Sequence, residues 1–442
     1  MQRSVRDFAV NLYLDGTPSM EGFVANPNSQ YIQWVSDLLD RFRTTQSIGF
    51  DGRPHSLTNL QYFRLGTQNQ SDHKRISDDE ALRFQTPEFY NGKNRKFPLL
   101  NVSEIDTAIA EPDTPNELTV IVTDLYQAED NLARVTSQVK SYLTANNSSY
   151  GLGVIGIKSE FQGTVYPEGL RSSGKFPYDS KEVASRPFYI LFLGQIDEIN
   201  FYFKELLKDK SLTEETVRAV IFSPFRVYEK PASLEPMKQE DLTKLPIEVR
   251  KQQKLSVPGY STKFGNVVVT ISDPHVQALR IDSRSSTDFK LTAKATLAPI
   301  KYLPILKPSA FKATIIYKTF DRKKKQFTET PQQPALAQAL NFSGWEQLEN
   351  TLQFSVQVQP QNIQGSGLYF FETQVVVSPD RGEDALESQD WWNDWSSNSN
   401  ERRGDKTHNL KKFMDSLERI TTEIMQQNQP VVGRFCYLIQ KG

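Results

Sequence analysis

The stretch Leu12-Tyr13-Leu14-Asp15-Gly16-Thr17-Pro18-Ser19-Met20 decides how the chain is read. Phe8, Val10, Leu12 and Leu14 alternate with Ala9, Asn11 and Tyr13, the two-residue period of a strand. The run stops at an acid followed by Gly, Thr, Pro and Ser, a turn composition. Asp15, Thr17 and Ser19 stand two apart, so three oxygen donors crowd one short loop at a strand's carboxyl end. In open α/β sheets that edge is where ligands bind. One acid and two hydroxyls suit a hard cation such as Mg²⁺, which takes oxygen ligands and usually one or two carboxylates. A transition metal would call for His or Cys, and neither is near in sequence.

Two later segments offer partners for this loop. Leu118-Thr119-Val120-Ile121-Val122-Thr123-Asp124 is the clearest buried strand, β-branched and almost wholly apolar, and it too ends at an acid. In Leu99–Ile109, the residues Ile105, Ala108 and Ile109 form a short helical stripe with Ser103 at its start. Ser103 has two readings that compete, an N-cap or a hydroxyl ligand, with Thr107 as the fallback ligand. Asp124 likewise reads as a ligand or as a turn acid closing a βα loop.

Asp15-x-Thr17-x-Ser19 after an apolar strand resembles the D-x-S/T-x-S signature of von Willebrand factor A (vWA) domains, which opens their metal-ion-dependent adhesion site (MIDAS). The resemblance implies Mg²⁺ (or Mn²⁺ or Ca²⁺) held by Asp15, Thr17, Ser19, Ser103 and Asp124, Ser103 taking the place of a family Thr. It also implies that another protein's Asp or Glu completes the cation's shell, so that the chain is a non-enzymatic adaptor in a larger assembly. Two departures stand out. Pro27 delays the first helix, and Leu125 occupies a position where the family commonly has Gly.

Alternating strands and helices through residue 210 predict a doubly wound, mostly parallel sheet. Helices are expected at Ile32–Phe42, 128–145 and 195–207, and strands at 60–65, 150–158 and 187–193. Residues 211–252 read as a strand and connector. Over 253–385, seven short strands (263–273, 276–284, 289–298, 310–320, 325–329, 351–359 and 367–378) suggest a β-sandwich. Residues 386–442 hold a polar loop with Trp391, Trp392 and Trp395, an amphipathic helix over 407–426 and a last strand over 431–439. The tryptophans read either as packing on the sandwich or as a partner anchor. The final helix and strand leave open whether the sandwich is tandem to the α/β domain or inserted in it.

In 442 residues with a net charge of −1, nothing argues for nucleic acid or an acidic membrane surface. The single cysteine, Cys436, points to a reducing compartment and reads as a core residue. With so few residues ahead of the first strand no leader is expected, and with no apolar run of membrane length the chain is expected to be soluble and cytoplasmic. His55, His73, His275 and His408 are scattered, and no P-loop, His-Glu-x-x-His or Gly-x-Ser-x-Gly motif occurs. Arg403-Gly404-Asp405 reads as a chance tripeptide and Asp321–Lys325 as a solvated turn. One enzymatic alternative is a Mg²⁺-dependent phosphohydrolase of haloacid dehalogenase type. It would need a second Asp where Thr17 stands. A further alternative is a vWA-fold scaffold whose metal site is degenerate.

Overall fold

The computed structural model describes residues 6–44, 47–48, 54–67, 73–110, 116–125, 129–145, 149–166, 175–208, 215–235, 260–264, 267–271, 276–329, 334–387, 389–398 and 401–442. Most of the expected connector, 236–252, and His275 lie outside them. The chain divides into two units. One comprises Met1–Arg226, Lys301–Pro304 and Ser388–Ile424; the other comprises Val227–Ile300, Ile305–Glu387 and Met425–Gly442.

The first unit begins β1 (Arg6–Asp15), α1 (Gln30–Thr44), β2 (Ser47–Ile48), β3 (Pro54–Leu65), β4 (Lys74–Ile76), α2 (Asp78–Ala81) and α3 (Ile105–Ala108). It continues through β5 (Glu117–Thr123), α4 (Glu129–Ala145), β6 (Tyr150–Ser159), β7 (Gln162–Val165), β8 (Phe176–Asp179), β9 (Arg186–Gln195), α5 (Ile196–Leu207) and β10 (Val217–Phe222). The main sheet has the order β10-β6-β9-β5-β1-β3-β2, with β4 also on β3. β1 runs parallel to both β3 and β5, so the carboxyl ends of β1 and β5 lie side by side.

The sheet is mixed, and the expectation of a mostly parallel one is corrected here. β9 lies antiparallel between β5 and β6, and β10 pairs antiparallel with β6. The reason is the connection. A parallel neighbour needs a crossover, commonly a helix laid over the sheet. Between β6 and β9 the described residues hold only the small β7–β8 hairpin, so the chain turns back beside itself. β5 is buried along its whole length, as an apolar, β-branched strand with both faces covered should be. Against the sheet, α1 buries Tyr31, Trp34, Val35, Leu38, Leu39 and Phe42 on one face. Each such side chain contributes about 1.5–3 kcal/mol by leaving water.

The second unit runs β11 (Ser233–Leu234), β12 (Tyr260–Phe264), β13 (Val267–Ile271), β14 (Val276–Ile281), β15 (Phe289–Thr296), β16 (Phe311–Asp321) and β17 (Gln326–Glu329). After α6 (Pro334–Ala337) come β18 (Leu340–Leu348), β19 (Thr351–Val358) and β20 (Gly367–Val377). β11-β15-β19-β18 form one sheet; β14, the terminal strand, β20, β16 and β17 form another. Aromatic rings join the two, Phe354 of β19 stacking on Phe435 at 5.3 Å and Phe342 of β18 meeting Tyr437 at 5.9 Å. The expected strand over 263–273 is two, β12 and β13, paired as a hairpin. β18 is an addition to the expected set, because its polar Asn341, Ser343, Glu346 and Gln347 disguise an exposed edge strand with a bulge.

The return segment carries α7 (Trp391–Trp395), β21 (Ser396–Ser397), β22 (Thr407–His408) and α8 (Leu410–Asn428), then β23 (Val431–Lys441) closes the second unit. All three tryptophans are buried, which corrects the reading of them as exposed anchors. All three belong to the α/β unit. Trp395 stands over Gly156 of β6 and takes Lys158 Nζ against its ring at 5.0 Å. Large aromatic area is buried wherever an apolar surface is offered, and for Trp395 that surface is on β6 of the α/β sheet. The β-rich unit therefore interrupts the α/β unit in sequence.

Candidate metal centre

The β1 strand delivers Asp15, fully buried, to the carboxyl edge of the sheet. Four donors reach its two oxygens. Thr17 supplies both its amide, at 3.0 Å, and its hydroxyl, at 2.7 Å, to Oδ1. Ser103 Oγ donates to Oδ2 at 2.8 Å and Thr123 Oγ1 to the same atom at 2.7 Å. Thr17 spends its single proton on Asp15, so in its 3.1 Å contact with Ser19 the Ser19 hydroxyl is the donor. Burial pushes the Asp15 carboxyl above the usual carboxylate range and the charge of Asp124 adds to the rise, while hydrogen bonds from Thr17 and Thr123 oppose it.

Ser103 is not a helix cap. Glu104 precedes α3 and no side chain caps that turn, so the Ser103 hydroxyl serves Asp15 instead. Thr107 is away from the centre, exposed, donating to Glu104 O and touching His73 Nε2. After Ser19 the expected loop is a 3₁₀ helix, Pro18–Val24, with Pro at its start.

Asp124, at the end of β5, is 3% exposed and forms a buried ion pair with Arg186, whose Nη2 lies 3.1 Å from Oδ2. Leu125 follows with φ +51°, so the turn keeps the left-handed backbone that glycine adopts freely and an L side chain adopts at a cost. Arg186 opens β9 and lies against the Phe161 ring at 4.7 Å; its Nη1 donates to Gly404 O at 3.1 Å. In the same tripeptide, Arg403 closes on Asp405 through two hydrogen bonds of 2.8 and 2.6 Å.

A second buried guanidinium, Arg64 of β3, supports the loop from beneath. It donates to Gly16 O at 3.0 Å, to Phe89 O and to Pro98 O. Burial pushes Arg64 down to about 10, with the charges of Tyr90 and Asp15 opposing. Gly16 leaves the room this requires, since a Cβ there would stand 2.5 Å from Arg64 Nε.

Thr17, Ser19, Ser103 and Asp124 line one pocket of about 430 Å³, together with Pro18, Glu21, Asn91, Leu99, Leu100, Asn101 and Tyr166. Sequence reasoning missed Arg64, Arg186 and the role of Thr123. The available signals were Arg64 in the buried phase of a strand, after Tyr62, and Arg186 directly before an apolar run.

The donors are all oxygen, a chemistry that fits Mg²⁺. A hydroxyl that donates to Asp15 keeps acceptor capacity for a cation. Asp15 itself has little left, its two oxygens already taking four hydrogen bonds. Among the described residues no group of three or more His, Cys, Asp or Glu side chains could hold a metal. Hydroxyls would therefore have to supply much of any shell. Compared with known proteins, the chain matches no family model, and no curated protein matches it in sequence. No helix among the described residues is long and apolar enough to cross a membrane.

Proposed function

We propose that the α/β unit is a vWA-like interaction domain that binds an acidic side chain of another protein through Mg²⁺. The observation that carries this is the convergence of Thr17, Ser19, Ser103 and Asp124 on one pocket, with Asp15 behind the hydroxyls. In this reading Ser19, Ser103 and Asp124 hold the cation, Thr17 assists, and Asp15 acts through the hydroxyls it orients. The cation supplies an electrophilic point for a partner's carboxylate. The second unit is read as a β-sandwich carried as an insertion, and the whole as a non-enzymatic adaptor. The antiparallel pairings lie at β9 and β10 on one side and at β2 and β4 on the other, outside the parallel β1–β5 pair that carries Asp15 and Asp124.

The phosphohydrolase reading is weaker. A nucleophilic Asp needs a lone pair free to attack, and both Asp15 oxygens already accept two hydrogen bonds each. The same saturation, with the Asp124–Arg186 pair, favours one second reading, a cation-free scaffold in which the acids are purely structural. Calorimetry with Mg²⁺ and Mn²⁺ in acetate buffer separates the two. The adaptor reading expects saturable binding that Ser19→Ala and Asp15→Ala abolish while circular dichroism stays native. No binding by the wild-type chain would leave the scaffold.

A further inference from the structure

The pocket's hydroxyl protons are committed inward. Thr17 gives its single proton to Asp15 Oδ1, Ser103 gives its own to Asp15 Oδ2, and Ser19 donates to Thr17. What Thr17 and Ser19 keep for a ligand is therefore lone pairs. Glu21 stands on the same wall, partly exposed, with Asn91 Nδ2 donating to its Oε1 at 3.1 Å. No Lys, Arg or His is among the described residues that line the pocket. The two guanidiniums nearby are buried behind the wall, Arg186 on Asp124 and Arg64 on the Gly16 carbonyl. With Asp15, Asp124 and Glu21 set against these two, a single negative charge is left over. A ligand with one positive charge neutralises it, and an anion would add to it.

We infer that the metal-free pocket takes a primary ammonium group on an aliphatic stem, the side chain of a lysine or a free alkylamine. An ammonium is compact and carries three donors. Thr17 Oγ1, Ser19 Oγ and the Glu21 carboxylate line the one pocket and offer an acceptor to each. A guanidinium is planar and pairs best with both oxygens of a carboxylate. Here Asp124 is bonded to Arg186 and Glu21 to Asn91, which favours the ammonium. Leu99, Leu100 and Tyr166 give the stem an apolar surface, as long cationic side chains use when their head group reaches a polar site. Leu99 and Tyr166 are 43% and 38% exposed, so the stem enters across them. This inference does not rest on the Mg²⁺ reading, because an ammonium needs acceptors and no coordination shell. The two ligands are alternatives at Ser19.

The test is calorimetry on the full chain at neutral pH with chelator present throughout. The probes are Nα-acetyl-lysine amide, its Nε-acetylated form, Nα-acetyl-arginine amide and n-butylamine. The lysine amide is expected to bind saturably, and the Nε-acetylated form, which lacks the charge, on the order of tenfold or more weakly. Glu21→Gln should weaken the lysine amide by a similar factor, since it removes the charge from a partly exposed wall residue and keeps its shape. n-Butylamine binding as tightly as the lysine amide supports the inference with a free amine as the source, and weaker butylamine binding supports it with a lysine side chain. No binding of either amine, equal binding of the Nε-acetylated form, or tighter binding of the arginine amide overturns it. Such a failure leaves the Mg²⁺ reading standing, and a chain that binds amine but no Mg²⁺ or Mn²⁺ fails that reading alone. The comparison of amine with acetylated amine on the wild-type chain decides the matter even if Glu21→Gln fails to fold.

Discussion

The Ser103 hydroxyl donates to Asp15 Oδ2 at 2.8 Å, joining residues 88 apart in the chain. Both groups are buried. The bond ties the loop before α3 to the end of β1, and it uses a serine whose position at a helix start suggests a local cap. Removing a partner of a buried charged acceptor costs more than losing an exposed hydrogen bond, because the acceptor stays behind without water. Ser103→Ala is therefore expected to lower stability by about 1–3 kcal/mol, measured by urea unfolding in chelator. A change within a few tenths would show that Ser103 does not support Asp15.

Leu125 carries a second prediction. At φ +51° and buried, it combines an unfavourable backbone with useful apolar area. Glycine would relieve the backbone and lose the area, whereas alanine would lose the area and keep the strain. Leu125→Gly is expected to be more stable than Leu125→Ala by roughly 1 kcal/mol, the reverse of the order in an ordinary helix or strand. Paired thermal melts give the sign directly. Alanine above glycine would mean the turn is not held left-handed.

Gly16 and Arg64 give a third. A Cβ on Gly16 would sit 2.5 Å from Nε and 2.6 Å from Cγ of Arg64. The guanidinium would have to move and give up bonds to Gly16 O and Phe89 O. Breaking the bonds of a buried charge costs several kcal/mol, so Gly16→Ala should lower the melting temperature by several degrees, each kcal/mol shifting a chain longer than 250 residues by less than about 2–4 °C. A melting temperature within a degree or two of wild type would contradict the tight approach.

Much of the site was legible because a strand ending in an acid is a strong local signal. The positions of Asp15 and Asp124 follow from β1 and β5 being apolar and adjacent, and parallel neighbours bring their ends together. The run of β6 and β9 was legible as strands, but their relative direction was not. Direction depends on what lies between them, and a polar stretch with Gly and Pro does not announce a hairpin. Arg64 and Arg186 escaped notice because their importance lies in contacts with Gly16 and Asp124, far away in sequence. The tryptophans leave two readings open in sequence for a related reason. Their polar neighbourhood is compatible with packing and with exposure alike, and the surface under Trp395 belongs to β6, more than two hundred residues earlier.

The raised Asp15 carboxyl sets a pH dependence in cation-free protein. Its folded value lies above the unfolded one, so the native state holds this proton more tightly. Its contribution to stability is greatest in acid and is lost as pH rises from the unfolded value, about 4, through the folded one. A group such as Asp405, held low by hydrogen bonds from Arg403, acts in the opposite sense. The test is thus a difference, wild type minus Asp15→Asn, in urea midpoint across that window. The difference is expected to fall with rising pH; a flat difference would remove Asp15 as the source.

The central claim is that the hydroxyls of Ser19 and Ser103 and the carboxylate of Asp124 hold one cation. Crystals grown with Mn²⁺ and acetate, measured at a wavelength where manganese scatters anomalously, test it most directly. A single strong anomalous peak is expected in the pocket among these three residues, with acetate density against it. A map with no peak there, or with manganese only elsewhere, would rule out this cation site and leave Asp15 and Asp124 as structural acids.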